Sequence, residues 1–448
     1  MQYYSLRAAV SRRPFILVTV FLLLILSACA PAVQESGGSA QSGQPVTLRV
    51  QTSIDFYAEN AHSGILAYRA AHEKFLEDNP NIRVEFEIVP GFELYKQFIV
   101  AAEAGNAPDI TYQGAANTYT LAVSEQILPL NEFMENHPYL NAENLQSAIL
   151  AVETVDGKYY GIPTTTDARL LYFRKDLLAE AGLDPNQPPA TREELIEFAQ
   201  TLTMDKDGDG TIDQWGYGFM ADNTLHTPHM WLAHVWAGGG DLVDEEGRAI
   251  FDSEAGIAAA KFYYDLVNTY EVSPPEVIAT DIDASVRALV SGEYAMAVLG
   301  SWSWPNDLVG ALGEEKIGWT KVPPPEGGQD ATFSGGWSWM ISSQSEHPEE
   351  AWAYLEAINS EEVALALGKV DIPTRQSILS HPEVQGLFVA EAGAYASEAA
   401  HGNPQVVTTQ ALFDGIRQAL QDVIQGRVSP EEAITKAAAD YNTQYAGR

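Results

Sequence analysis

All nine tryptophans of the 448-residue chain lie between Trp215 and Trp352, and four of them follow glycines: Trp302 and Trp304 after Gly300, Trp337 and Trp339 after Gly335-Gly336. At such turns no Cβ stands between a ligand and the backbone. Flat aromatic faces beside them suit a sugar ring, which offers an apolar face of C–H groups and an edge of hydroxyls. Tryptophans fill protein cores for the same reason, so burial accounts for any single one of them as well as ligand contact does. Thr164-Thr165-Thr166-Asp167, after Gly161-Ile162-Pro163, supplies the polar half of this chemistry. A carboxylate flanked by hydroxyls accepts charge-assisted hydrogen bonds, roughly twice as strong as neutral ones. A turn or a helix cap is the alternative role for Asp167.

A second pattern concerns cations. Asp205, Asp207, Asp209, Thr211 (through its backbone) and Asp213 fall at places one, three, five, seven and nine of a calcium-type loop. Its twelfth place is Gly216 rather than a bidentate glutamate, so either a distant carboxylate completes the shell or affinity is low. Any calcium here is structural, and a solvated Asp/Gly loop is the alternative. His226, His229 and His234 lie close in sequence and suggest zinc, but not at the spacing of a helical zinc-ligand pair. Catalytic signatures are missing: the sequence has no Gly-x-Ser-x-Gly elbow, no His-Glu-x-x-His and no phosphate loop. With 61 acidic residues, the carboxylate pair of an exported glycoside hydrolase stays open as a rival reading.

The single cysteine, Cys29, excludes internal disulfides and cysteine-rich metal sites. Ahead of it stand Arg7, Arg12 and Arg13, no acidic residue, and an apolar run from Phe15 to Leu26. This order is that of a bacterial export signal, and the run is short of the roughly 20 residues of a spanning helix. Leu26-Ser27-Ala28-Cys29 resembles a lipoprotein box, with cleavage before Cys29 and lipid on its sulfur; an ordinary signal peptide with an incidental cysteine is the alternative. Ser11-Arg12-Arg13-Pro14-Phe15-Ile16 resembles a twin-arginine export motif, without deciding that route. Residues 29–45 then form a Gly/Ser/Gln-rich tether. Without residues 1–28 the chain carries 22 basic and 61 acidic side chains, net −39, a surface that repels nucleic acid.

The remaining roughly 400 residues exceed one hydrophobic core and predict two domains. Val46 to Thr52 alternates as a strand, Ser63 to Glu77 reads as a helix halted at Asn79-Pro80, and IRVEFEI from Ile82 to Ile88 alternates again. That sequence of elements is the unit of an α/β sheet. TREE (Thr191 to Glu194) and Ser429-Pro430-Glu431-Glu432 predict capped helix starts, and Pro348 opens another helix.

Six stretches in order resemble the carbohydrate-binding group of extracellular solute-binding proteins of ABC importers, which includes maltose-binding proteins. They are Ala104–Asn117, Asp156–Asp184, Trp231–Asp244, Ser291–Leu308, Phe333–Ile341 and Asp371–Leu379. The resemblance implies an α/β fold of two lobes, 46–160 plus 336–375 and 161–335 plus 376–448, with a ligand cleft between them and strands as hinge. It implies a monomer that makes and breaks no bond and has no cofactor. Its partners would be a carbohydrate, an ABC permease and, through the lipid anchor, the outer face of the membrane. A polyol, glycerophosphodiester or peptide is the alternative ligand. For the site it implies Trp302 and Trp337 with Gly336, Trp236, Thr165 and Asp167 where the chain crosses lobes, Arg375, and the Gln113-Gly114 turn. Asp55 and Tyr57 follow the first strand, where the family varies, and a histidine near the cleft would donate to the ligand.

Overall fold

The computed structural model describes residues 45–445 apart from Asn60 and Leu225, and all side chains among them except those of Phe92 and Asn306. The export signal, Cys29 and all of the tether but Pro45 lie outside the described residues. Among the described residues no helix is long and apolar enough to cross a membrane.

The chain opens as its periodicity predicts. β1 (Val46–Thr52) leads to a helix over Ser63–Asp78, then β2 (Ile82–Ile88) and β3 (Ile110–Gly114), and β1 pairs in parallel with both. β2 is the edge strand, and its inward face fades: Ile82 is buried, Val84 and Phe86 are half-buried and Ile88 is exposed. A short hairpin, β4 (Thr154–Val155) and β5 (Lys158–Tyr159), precedes β6 (Ile162–Thr166) and β7 (Arg169–Arg174). β8 (Met296–Gly300), β9 (Ile317–Lys321), β10 (Thr332–Phe333), β11 (Trp337–Ile341), β12 (Ile372–Pro373) and β13 (Ala400–His401) complete the strands.

These strands make two principal sheets: six strands in the order β12-β6-β11-β3-β1-β2, and three in the order β8-β7-β9. Each has its own core. Around the first pack Leu48, Val50, Tyr68, Ile110, Trp339 and Leu355. Around the second pack Leu171, Phe219, Trp231, Phe251, Leu299 and Leu420, the last from the C-terminal helices. This is the two-domain α/β architecture expected.

The crossings between the lobes fall between β6 and β7, at Asp167-Ala168, and between β10 and β11, at Ser334-Gly335-Gly336. β6 pairs within the six-stranded sheet, so the first crossing comes several residues after position 161, where the sequence resemblance put it. Past residue 375, Ile378, Val384 and Val389 pack beside Ala364 and Leu365 of the first lobe before the chain leaves it. At the second crossing Gly336 has φ +117°, and a Cβ there would stand 2.3 Å from the Thr165 carbonyl oxygen. Only glycine fits that turn.

The capping sequences behave as read. Thr191 Oγ1 accepts from the Glu194 N–H (3.2 Å) and the Glu194 carboxylate accepts from the Ala190 N–H (2.8 Å), starting the helix Arg192–Leu202. Ser429 Oγ accepts from the Glu432 N–H at the head of Pro430–Tyr445.

Candidate functional site

The first-lobe wall begins at Trp337, the first residue of β11. Across the sheet it faces Gly114 on one side and Thr165 on the other. Its half-buried indole stacks on Tyr112 (5.4 Å between centroids, 17° between planes), and Tyr112 packs on the fully buried Trp339 (4.5 Å). Thr164 Oγ1 donates to the Trp337 carbonyl (3.0 Å) and lies 2.9 Å from the Tyr112 hydroxyl. A Cβ on Gly114 would meet nothing within 4 Å, so the strand end beside Trp337 is open. Behind it, the fully buried Glu153 accepts from the hydroxyls of Ser338 and Thr118.

The second-lobe wall is built on Asp167 and Arg169. Asp167 Oδ1 accepts from Arg169 Nη1 (2.6 Å) and from the Gly335 N–H (3.0 Å), so its partners are a guanidinium and a backbone amide rather than the expected threonine hydroxyls. Thr166 instead bonds Ser334 Oγ (2.7 Å). Arg169 is 2% exposed, and its guanidinium lies 4.8 Å from the Trp302 ring and 5.0 Å from Phe333. Cation–π contact with two rings and a carboxylate compensates its burial. Trp302, half-buried, stands 6.1 Å from the His226 ring. Burial, then Arg169, pushes the His226 imidazole down to about 4.

The fold thus brings Gly114, Thr165, Gly336 and Trp337 together at the head of β11 and links them through the crossing at Asp167 and through Arg169 to Trp302. Other candidates lie elsewhere. Gln113 is fully buried, donating to Thr111 Oγ1 (2.8 Å), because β3 turns it to the face opposite Tyr112. Arg375 is 3% exposed inside the first lobe, donating to the Asn359 carbonyl (2.7 Å) with its guanidinium 5.5 Å from the Tyr139 ring. Trp236 is 3% exposed; it donates to Asp241 (3.1 Å) and stacks on His401. Asp55 is exposed and caps the Tyr57 N–H (2.8 Å), and Tyr57 stands out in solvent under Arg69.

The histidines share the helix His226–Ala237. His229 stacks on Phe333 (3.9 Å) and His234 packs among Phe262 and Tyr263; burial drives both well below the ordinary histidine range. Asp205, Asp207 and Asp209 form a cluster, half-buried to exposed, whose ligand atoms lie within 4.8 Å of one another. These carboxylates accept from the loop's own N–H groups, those of Gly208, Gly210, Asp209 and Thr211, which holds Asp205 below the usual carboxylate range. Such an all-oxygen group could coordinate a metal ion.

Three residues of the crossing escaped the sequence reading: Tyr112, Arg169 and Asp371. Arg169 carries a legible signal, a cation opening an apolar run two residues after Asp167, hence on the same strand face. Asp371 and Tyr112 become visible only through strand pairing.

The model of the bacterial extracellular solute-binding proteins matches residues 62–365. The chain belongs to that family. The family and fold are those of non-catalytic binding proteins that work outside the cytoplasmic membrane. The binding protein is 28% identical over 250 residues to a probable amino-acid ABC transporter periplasmic-binding protein of Sinorhizobium fredii, an alignment spanning 53% of each chain. It is 22% identical to the maltodextrin-binding protein of Bacillus subtilis over 94% of each chain. A crystal structure of a Thermotoga lettingae solute-binding protein bound with α-D-tagatose superposes with a TM-score of 0.77 at 26% identity, over 90% of this chain and 99% of that one.

Proposed function

We propose that this binding protein captures a sugar or oligosaccharide in the cleft between its lobes and delivers it to the membrane subunits of an ABC importer. The observation that carries this is one indole on each lobe: Trp337 stacked on Tyr112 in the first, and Trp302 stacked on a guanidinium bonded to Asp167 in the second. Indole faces take the C–H side of a sugar ring, and the Asp167–Arg169 pair takes its hydroxyl edge. Neither wall suffices alone, so a ligand touching both favours the closed arrangement and shifts the population toward it. Cleavage before Cys29 and lipid on its sulfur tether the protein at the membrane, where the tether raises its concentration near the permease.

Thermal unfolding measured against maltotriose, galactotriose, D-tagatose, ribitol and the amino acids tests this reading. A bound sugar at a hundred times its Kd adds about 2.7 kcal/mol of stability. Trp337→Ala abolishes that shift while unfolding remains cooperative. A response to amino acids alone, or hydrolysis of a panel sugar, overturns the carbohydrate reading. Asp167 is a poor probe by comparison, because removing it strands the buried Arg169 without its counter-charge.

The loop of Asp205, Asp207 and Asp209 we assign to calcium, in a structural role, with Asp213 and the Thr211 carbonyl as further oxygens. With a Kd of about 1 mM, 10 mM calcium adds about 1.4 kcal/mol of stability. Asp207→Asn with Asp209→Asn removes that increment; an equal increment from magnesium argues against calcium.

A further inference from the structure

The register of β6 against β12 pairs Ile372 with Thr166 and Pro373 with Thr165. One step further along this antiparallel ladder, Asp371 stands across from Asp167. Like charges directly opposed destabilise a sheet, and the two carboxylates are treated unequally. Asp167 has Arg169 and the Gly335 N–H. Asp371, half-buried, has neither a hydrogen-bond donor nor a cation among the described residues. It acts electrostatically on Tyr112, the ring beneath Trp337, and on Tyr68. Arg169, nine-tenths buried and aimed at Asp167, also keeps an Nε–H without an acceptor. The crossing therefore holds an acceptor and a donor that the protein itself does not use.

We propose that Asp371 is a ligand-contacting, specificity-determining carboxylate of this cleft, which accepts from two adjacent hydroxyls of the sugar beside the Asp167–Arg169 pair. This rests on the carbohydrate reading and deepens it: the ligand class is a sugar or polyol with a vicinal diol at that end. A proton is coupled to the event. Burial first, and Asp167 second, raise the Asp371 carboxyl to about 6. Hydroxyl donors stabilise its ionised form, so binding expels the proton to water. The groups facing Asp371 are few. Asp167 comes from the crossing after β6 with Arg169 behind it, Tyr112 from β3 and Tyr68 from the helix Ser63–Asp78. Arg375 is turned to the Asn359 carbonyl, and Lys369 is bonded to Glu383. Glu361 and Glu362 of the helix Glu361–Leu367, and Glu391 and Glu398 of Phe388–Ala399, are exposed.

The panel sugar that raises the melting temperature most is titrated by calorimetry into wild type at pH 7.5, 6 and 5, with two buffers of different ionisation enthalpy at pH 6. Expected are release of about half a proton per sugar at pH 6 and a Kd roughly tenfold weaker at pH 5 than at 7.5. Asp371→Asn weakens binding at least about tenfold at pH 7.5 and flattens the pH profile, while its ligand-free melting temperature holds or rises, since the opposed charge is gone. The proton measurement needs wild type alone and stands even if the variant does not fold. A sugar that binds without proton release, or a variant that binds as wild type does, sinks this inference alone. Failure of every sugar to bind sinks the carbohydrate reading, and this inference with it.

Discussion

Glu153 sits fully buried with two hydroxyl donors and no cation among the described residues, and burial raises its carboxyl to about 7 from an ordinary value of 4.5. Between those two pH values the folded chain holds a proton that the unfolded chain has released. Its contribution to stability is therefore full below pH 4.5, is lost as pH rises toward 7, and stays lost above; the change is roughly 3 kcal/mol. Glu153→Gln is expected to raise the unfolding midpoint at pH 8 and to change it little at pH 5. A difference between variant and wild type that does not vary with pH would contradict this account. The residue matters to the site because Ser338, which it holds, adjoins Trp337. Sequence offered no hint of it: one glutamate among 61 acidic residues looks like surface charge until a fold encloses it.

At the scale of elements, the turn at Gly335-Gly336 fixes where Trp337 stands. Its backbone occupies the left-handed region and passes too close to the Thr165 carbonyl for any side chain. Gly336→Ala is expected to lower the free energy of unfolding in urea by about 1–3 kcal/mol at unchanged m-value. Gly114→Ala, on the neighbouring strand at φ −61° and with open space where its Cβ would stand, should shift stability by less than about 0.5 kcal/mol. Equal costs at the two positions would show that strain does not govern the turn. Helices were the more legible elements. The capping sequences at Thr191 and Ser429 act within one turn of chain, so local order alone reveals them. Two-residue strands such as β10 and β12 carry no periodicity, and pairing partners alone define them.

At the scale of the whole molecule, two cores serve two sheets, and several of the candidate site residues lie at or beside the passages between them. The acidic surface is compatible with a neutral, hydroxyl-rich ligand and adverse to polyanions. Closure around such a ligand needs acceptors left without partners of their own, and on the reading proposed above Asp371 is one among the described residues. A binding protein keeps such groups at some cost in stability, because filling them internally would leave the ligand nothing to contribute.

Periodicity, caps and chain length sufficed for the α/β class and two lobes, the order of six segments for the family, and the glycine-tryptophan and Thr-Asp turns for naming Asp167, Trp302, Gly336 and Trp337 as candidates. Each of these is written in short-range pattern or in the order of segments. Tertiary structure alone decided that Gln113, Trp236 and Arg375 turn inward and that Asp371 stands opposite Asp167. Those facts depend on which face of a helix or strand meets which neighbour, and strand register joins residues some two hundred positions apart. A one-residue change in that register would reverse every assignment on the strand, which is why no reading of local sequence could supply them.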